Sequence, residues 1–354
     1  MSKSAHRFHE IDLLRGIACA SVLLFHFLSR APQAGWMSHV DYPQIEAVMR
    51  YGYLGVHLFF VISGFVILMS AQGATPRQFF ASRVARLFPA FWVAVCLTAG
   101  TAWWLGESRF AVSLPHFLVN LSMLPHWFNI PFVDGAYWSL AVELHFYAYI
   151  WIVLRLQQMR RIEWLMLAWL AVALVDLIRP AWPLELWLDA KWAPLFVAGG
   201  MFYLIRTQGL TLRRVLLLLA SYGLALASAL RESGGEGGQA NPWIVVAIIT
   251  VIYLIFTAIA FDRWRLPASR LTFWAGALTY PVYVIHQFFG IMLYQQLRAQ
   301  IDNTPLVLAV VIALVLVLAV AIHVWIEKPF GPRLRRWVEG KAAASAGSVK
   351  AGRA

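Results

Sequence analysis

The most regular feature of this chain is a series of long apolar segments separated by short polar stretches. Each is long enough to cross about 30 Å of hydrocarbon as a helix. The pattern predicts an all-α fold, a polytopic transmembrane helix bundle of about ten spans. The fifth and sixth segments are the weakest, because charged residues and prolines crowd their junction. The segments are 11–29, 53–71, 87–105, 137–154, 164–180, 190–205, 214–230, 243–261, 272–297 and 305–326.

Composition strengthens this prediction. Apolar residues make up 61% of the 354 residues and charged residues only 13%, against about half and a quarter in soluble domains. The net charge of +12 does not indicate nucleic acid, because the basic residues flank the apolar segments and form no contiguous patch. Cys19 and Cys96 both lie inside apolar segments, so no disulfide framework is expected.

The basic residues also predict an orientation. If the N-terminus is cytoplasmic and the segments alternate, cytoplasmic stretches hold an excess of Lys and Arg of about three to one. Both termini are therefore predicted to be cytoplasmic. Residues 1–330 are predicted to form one membrane domain, followed by a cytoplasmic tail at 331–354 that is disordered at its end. The outer stretch 106–136 is long enough to form a partial lid.

Ionisable residues inside a span are costly, so each is a functional candidate. The first segment holds Asp12, Arg15 and His26. Arg15 and His26 are eleven residues apart, so they differ by about 20° around a helix axis and lie about 16 Å apart along it. Asp12 is placed to pair with Arg15. This face fits a cavity that crosses the bilayer, although an interfacial arginine and a histidine satisfied by a neighbouring helix explain it equally well.

Further candidates lie on other segments. Glu143 is about two turns from the outer end of its span, so it must be protonated or paired, with His26 as a candidate partner. His57 lies at a depth similar to that of His26. Arg83 and Arg86, three residues apart, offer forked donors to phosphate, although membrane anchoring also explains them.

Together these residues resemble the acyltransferase-3 family, bacterial integral membrane enzymes that O-acylate sugars. The resemblance covers about residues 8 to 330, the predicted membrane domain. Its motifs are Asp12 to Ala18 with His26, Gly55 to Phe65, Arg83 with Arg86, Trp138-Ser139 with Glu143, and Tyr280 to His286. Many family members have Asp at the position of His57, so local proton chemistry is expected to differ here.

The resemblance implies that Arg15, His26, Arg83, Arg86 and Glu143 matter for activity, and that the donor is acetyl-CoA or another acyl-CoA. We expect His26 and Glu143 to be catalytic and the three arginines to bind the donor. No metal is expected. Supporting or substrate-binding roles are predicted for Asp12, His57, Ser63, Trp138, Ser139, Tyr283 and His286.

Two mechanisms remain open. His26 acts as the general base for an acceptor hydroxyl, or it carries the acyl group itself. The expected acceptor is a sugar of a surface polysaccharide, oligosaccharide or glycolipid, and the expected location is the bacterial inner membrane, in contact with lipid. Self-association is left open. The alternative function is a proton-coupled transporter of a saccharide or lipid, although no paired halves or matched broken helices are evident.

Overall fold

A computed structural model describes residues 8–38, 43–105, 108–233 and 240–340. Within these ranges the chain is helical and has no strand, which confirms the predicted all-α class. The helices are α1 His9–Gln33, α2 Pro43–Ala71, α3 Pro76–Leu105, α4 Leu114–Asn120, α5 Tyr137–Arg155, α6 Ile162–Ile178, α7 Trp182–Leu188, α8 Ala193–Gln208, α9 Leu212–Ser233, α10 Pro242–Ala260, α11 Arg270–Ile285, α12 Phe288–Arg298 and α13 Thr304–Val338.

Seven of the described helices are long and apolar enough to cross a membrane: α1, α2, α3, α5, α9, α10 and α13. An eighth span is obtained if α11 and α12 are counted as one bent unit. Helices α6 and α8 match the two weakest predicted segments and are 17 and 16 residues long. The predicted count of about ten is reached only if α6 and α8 also cross the membrane. The number of spans and the cytoplasmic location of both termini therefore remain predictions. Residues 341–354 of the predicted tail lie outside the described residues.

The apolar surface fits a membrane environment. Large side chains such as Trp104 and Trp243 are 86% and 78% exposed, which only a lipid environment makes favourable for so many helices at once. Both cysteines are free, as predicted. The chain is thus an integral membrane protein.

The ninth predicted segment is not one continuous helix. Helices α11 and α12 meet at a 70° bend around His286 and Gln287. The backbone N–H of Phe288 donates to Asp134 Oδ2 at 2.7 Å instead of continuing the helical ladder. The predicted segment 272–297 is therefore interrupted at His286 and Gln287, where a carboxylate distant in sequence accepts the hydrogen bond at the break.

Helix α3 starts earlier than the apolar pattern indicated. Thr75 and Gln78 form a reciprocal cap, in which each side chain accepts a backbone N–H of the other residue at 3.1 to 3.2 Å, and Pro76 occupies the first helical position. Arg83 and Arg86 consequently lie within a 30-residue helix and not in the loop before it.

The helices group into two compact units. The first unit comprises Met1–Met69, Arg160–Thr279 and Leu293–Val310. Its core contains a close crossing of α2 and α8, where a Cβ on Gly199 would lie 2.0 Å from the carbonyl oxygen of Val61. Such glycine contacts let two membrane helices approach closely. The second unit comprises Ser70–Met159, Tyr280–Met292 and Val311–Ala354.

Candidate functional site

In the first unit, the predicted pair between Asp12 and Arg15 is present. Arg15 Nη1 lies 3.9 Å from Asp12 Oδ1, and the Asp12 residue is only 7% exposed. Helix α11 packs directly on this carboxylate, since a Cβ on Gly276 would lie 2.5 Å from Asp12 Oδ1. The pair is therefore fixed in a tight site that leaves no room for a side chain opposite it.

His26 lies where α1 changes its winding. A π-helical turn covers His26–Arg30, and such turns are frequent at functional sites. The side chain is half-buried, with its ring centroid 5.2 Å from that of Phe25. Phe25 in turn contacts Tyr53 of α2 at 5.8 Å. His26 thus lies in an aromatic environment near the start of the second span.

His57 has a carboxylate neighbour that the sequence did not reveal. Its Nε2 lies 3.5 Å from Glu232 Oε2, and Lys191 Nζ lies 3.1 Å from Glu232 Oε1. The His57 ring also packs edge-on against Trp192 at 5.4 Å. Ser63, further along α2, is buried at 8% exposure. Glu232 was missed because it lies at the end of α9, far from His57 in sequence.

In the second unit, Arg83 and Glu143 both contact one tyrosine, Tyr147. Tyr147 Oη donates to Glu143 Oε1 at 2.9 Å. The Arg83 guanidinium carbon lies 5.5 Å from the centre of the Tyr147 ring and 5.7 Å from that of Phe79. These distances are within the range of cation–π contacts. A cation and a carboxylate are thereby held by one shared side chain, with Tyr147 as a partner that sequence reasoning missed.

Arg86, one turn beyond Arg83, is exposed. A second polar pair lies within the π-helical turn of α13, His323–Glu327, where His323 Nδ1 is 2.7 Å from Glu327 Oε2. The last turns of α13 pack on α3, since a Cβ on Gly331 would lie 3.3 Å from the carbonyl oxygen of Ala85.

The start of α5 is tied to the end of α11. Ser139 Oγ and Tyr283 Oη lie 2.6 Å apart, and Tyr137 Oη donates to the carbonyl oxygen of Val284 at 3.0 Å. Trp138, between them, is half-buried. His286 is 1% exposed, and its Nδ1 lies 2.7 Å from the carbonyl oxygen of Tyr283. Ser139 and Tyr283 therefore form a buried polar contact between α5 and α11.

Asp134, in the stretch before α5, adds two hydrogen bonds at this contact between helices. Its Oδ1 accepts the N–H of Ala136 at 2.9 Å and its Oδ2 accepts that of Phe288 at 2.7 Å. Burial raises the pKa of the Asp134 carboxyl from 3.8 to about 7, and the backbone hydrogen bonds oppose that rise. The turn pair Asp134-Gly135 was the only sequence signal for this residue.

The predicted site residues divide between the units. The first unit holds Asp12, Arg15, His26, His57 and Ser63, whereas the second holds Arg83, Arg86, Trp138, Ser139, Glu143, Tyr283 and His286. Each unit brings its own members into the contacts given above. The predicted pairing of His26 with Glu143 would join residues of different units and stays a prediction.

Comparison with known proteins identifies relatives. A family model described as an acyltransferase domain matches residues 8–325. A protein of Komagataeibacter xylinus named "Putative membrane-bound transacylase BcsY" is 30% identical over 355 residues, which cover 91% of this chain and 83% of that protein. The exopolysaccharide production protein ExoZ of Rhizobium meliloti (strain 1021) is 32% identical over 107 residues, 27% of this chain and 32% of ExoZ. No solved structure matches.

Proposed function

Because this chain belongs to the acyltransferase-3 family of membrane acyltransferases, we propose that it moves an acyl group from cytoplasmic acyl-CoA to a sugar hydroxyl. Acetyl is the proposed group and the bacterial inner membrane the proposed location. The name of ExoZ refers to exopolysaccharide production, which supports a surface polysaccharide, oligosaccharide or glycolipid as the acceptor. The name of BcsY refers to acyl transfer.

The observation that carries the proposal is the arrangement of Arg83, Tyr147 and Glu143. A guanidinium is a forked donor that suits the phosphates of CoA, and Arg83 is held in place by the Tyr147 ring at 5.5 Å. The same tyrosine fixes the Glu143 carboxylate at 2.9 Å. Tyr147 thus holds the proposed phosphate-binding cation, Arg83, and the proposed acid–base group, Glu143, at fixed positions within one unit. Arg15, paired with Asp12, would supply a further cation for the donor.

In the proposed reaction, His26 accepts the proton of the acceptor hydroxyl as its oxygen attacks the thioester carbonyl. The tetrahedral intermediate then collapses, and the CoA sulfur leaves with the proton that His26 returns. An imidazole can both accept and return a proton at neutral pH, which suits both transfers. Glu143 would stabilise the imidazolium. The other route places the acyl group on His26 first. If the protein were incubated with labelled acetyl-CoA in the absence of acceptor, accumulation of a labelled acyl-enzyme would support this covalent route.

Donor binding is tested by thermal unfolding of the detergent-solubilised protein. Acetyl-CoA should raise the unfolding midpoint of the wild type and fail to raise that of the Arg83→Ala/Arg86→Ala double variant. Arg160→Ala/Arg161→Ala is the control for the loss of two arginines, because Arg160 and Arg161 are exposed in the turn before α6 and should leave the midpoint shift unchanged. Equal shifts in all three proteins would refute the proposed donor site.

The acceptor is tested by mass spectrometry of surface glycans. Cells with the wild-type protein should carry glycans heavier by one acyl group than cells with His26→Ala, at equal protein levels in the membrane. If His26→Ala gave the same acylated glycans, both mechanisms above would be wrong.

One observation favours the alternative transporter function. The 70° bend between α11 and α12 resembles the discontinuous helices of secondary transporters. A proton-coupled exporter would release its saccharide or lipid without acyl-CoA. Depletion of the protein would then trap unmodified glycan inside the cell. Glycan that is exported normally but lacks its acyl group would instead support the transferase.

A further inference from the structure

A long groove runs along the second unit between α3 and α5. Its cavity volume is about 910 Å³. Residues 122–127 line one end, and Trp337 and Val338 of α13 line the other. The walls are almost entirely aromatic or aliphatic: Phe79, Phe80, Val84, Phe88, Trp92, Leu144, Ala148 and Trp151. Phe80 and Trp92 are 49% and 41% exposed, so the groove opens sideways, towards the region that lipid covers around a membrane helix.

The cationic side chains of the groove lie at the α13 end, where Arg77, Arg83 and Arg155 line it, and the other polar side chains that line it are Ser122, His145 and Tyr147. Arg77 donates from Nε to the carbonyl oxygen of Val338 at 3.2 Å, which leaves its charge without a carboxylate. Arg155 is exposed and makes no ion pair or side-chain hydrogen bond within the described residues. No Asp or Glu lines the groove. Arg77 and Arg155 therefore carry positive charge that no ion pair within the described residues offsets, and this charge attracts an anion.

The length of the groove fits a hydrocarbon chain. From Arg77 to Trp92, α3 rises about 22 Å at 1.5 Å per residue. That distance is a large part of the roughly 30 Å hydrocarbon core. Both flanking helices are candidate membrane spans, so the groove runs along the direction of lipid chains. Trp92 and Trp127 line the end opposite the arginines, as tryptophans do at membrane interfaces.

We propose that this groove binds an anionic glycerophospholipid. Its phosphate lies between Arg77 and Arg155, and one acyl chain lies along Phe80, Val84 and Trp151 towards Trp92. Basic pockets beside membrane helices recognise anionic headgroups in this way. Binding itself is independent of the proposed acyl transfer.

The test is native mass spectrometry of the delipidated, full-length protein with added phosphatidylglycerol or phosphatidylcholine of identical chains. The wild type should retain phosphatidylglycerol preferentially. Arg77→Gln/Arg155→Gln should bind it roughly ten- to thirtyfold more weakly, because each basic residue contributes a factor of about three to five. Arg160→Gln/Arg161→Gln removes the same charge outside the groove and should bind as the wild type does. Equal retention of both lipids, or an equal loss in the control, would overturn the proposal.

A second variant tests the proposed binding of the lipid acyl chain rather than of the headgroup. Val84→Trp fills the groove, and it should lower phosphatidylglycerol retention while both arginines remain. Val93→Trp adds the same volume to α3 at a half-buried position that does not line the groove, and it should have no such effect. If acetyl-CoA displaced bound phosphatidylglycerol one for one, the groove would belong to the acyl donor and the lipid assignment would be wrong.

Discussion

Tyr147 Oη donates a hydrogen bond to Glu143 Oε1 at 2.9 Å, one turn earlier on α5. The ring of the same tyrosine also contacts Arg83, whose guanidinium carbon lies 5.5 Å from the ring centre. The tyrosine is 4% exposed, so neither contact is exchanged readily with water. One buried side chain therefore couples the position of a candidate catalytic carboxylate to that of a candidate phosphate ligand.

Replacing Tyr147 by Phe should lower acyl transfer without unfolding the protein. The change removes the hydroxyl but keeps the ring beneath Arg83. A hydrogen bond to a charged group contributes about 1.5–3 kcal/mol, so the rate should fall roughly ten- to hundredfold. The measurement is CoA release from acetyl-CoA in membranes that contain the native acceptor.

Tyr294→Phe is the matched control for this change. Its hydroxyl is also buried but has no hydrogen-bond partner within the described residues, so its removal should leave the rate unchanged. Equal rates in Tyr147→Phe and the wild type would show that Glu143 does not depend on this bond.

Gly276→Ala should disturb the pair between Asp12 and Arg15. The new Cβ would lie 2.5 Å from Asp12 Oδ1, so the carboxylate must move. Overpacking of this kind costs about 1–3 kcal/mol of unfolding free energy, and acyl transfer should fall with it. Gly223→Ala, within α9, meets no atom within 4 Å and should be neutral or slightly stabilising. A midpoint of unfolding that is the same for both variants would contradict the tight packing on Asp12.

Arg214→Lys should destabilise the first unit more than Arg213→Lys. The Arg214 guanidinium donates to Glu163, Gln208 and the carbonyl oxygens of Leu204 and Gly209 at 2.6 to 3.3 Å. A lysine keeps the charge but cannot reproduce this fork, so the loss should be about 1–3 kcal/mol, the cost of leaving buried acceptors without their hydrogen bonds.

Arg213 provides the comparison for Arg214. It is 49% exposed and lies 3.5 Å from the same glutamate, so its change to Lys should cost less than about 1 kcal/mol. Chemical denaturation in detergent measures both losses. Similar losses would mean that Arg214 acts only as a membrane anchor.

Asp134 should make stability depend on pH. Because burial raises its folded pKa to about 7 from 3.8, the folded protein binds more protons than the unfolded chain between these values. The unfolding free energy contributed by this carboxyl should therefore decline as pH rises from about 4 to about 7, and stay constant above that. Asp134→Asn should lack this decline.

The measurement for Asp134 is the unfolding midpoint of wild type and variant across that pH window. Asp302→Asn controls for the loss of one carboxyl, since Asp302 is fully exposed. Parallel midpoint curves for wild type and Asp134→Asn would contradict a raised pKa for this buried group.

Much of the architecture could be predicted because lipid acts locally on the chain. Every backbone polar group in a membrane must be satisfied within its own helix, so an apolar run of sufficient length is enough to predict a span. The pairing of Asp12 with Arg15 was predictable for the same reason, since residues three apart lie on one helix face. The span count was harder, because α6 and α8 are close to the length limit and hydropathy alone does not separate them from shorter buried helices.

The sequence by itself determined the helical class, the membrane character and the family, because each depends on local hydropathy or on motifs within one helix. Only the tertiary structure decided that Arg83 of α3 packs on the ring of Tyr147 of α5, that Glu232 lies beside His57, and that Asp134 accepts the hydrogen bond at the break after His286. Each of these contacts joins different helices or loops. Their partners lie tens of residues apart or more, so no period along the chain encodes them, and the packing of helices against one another selects them.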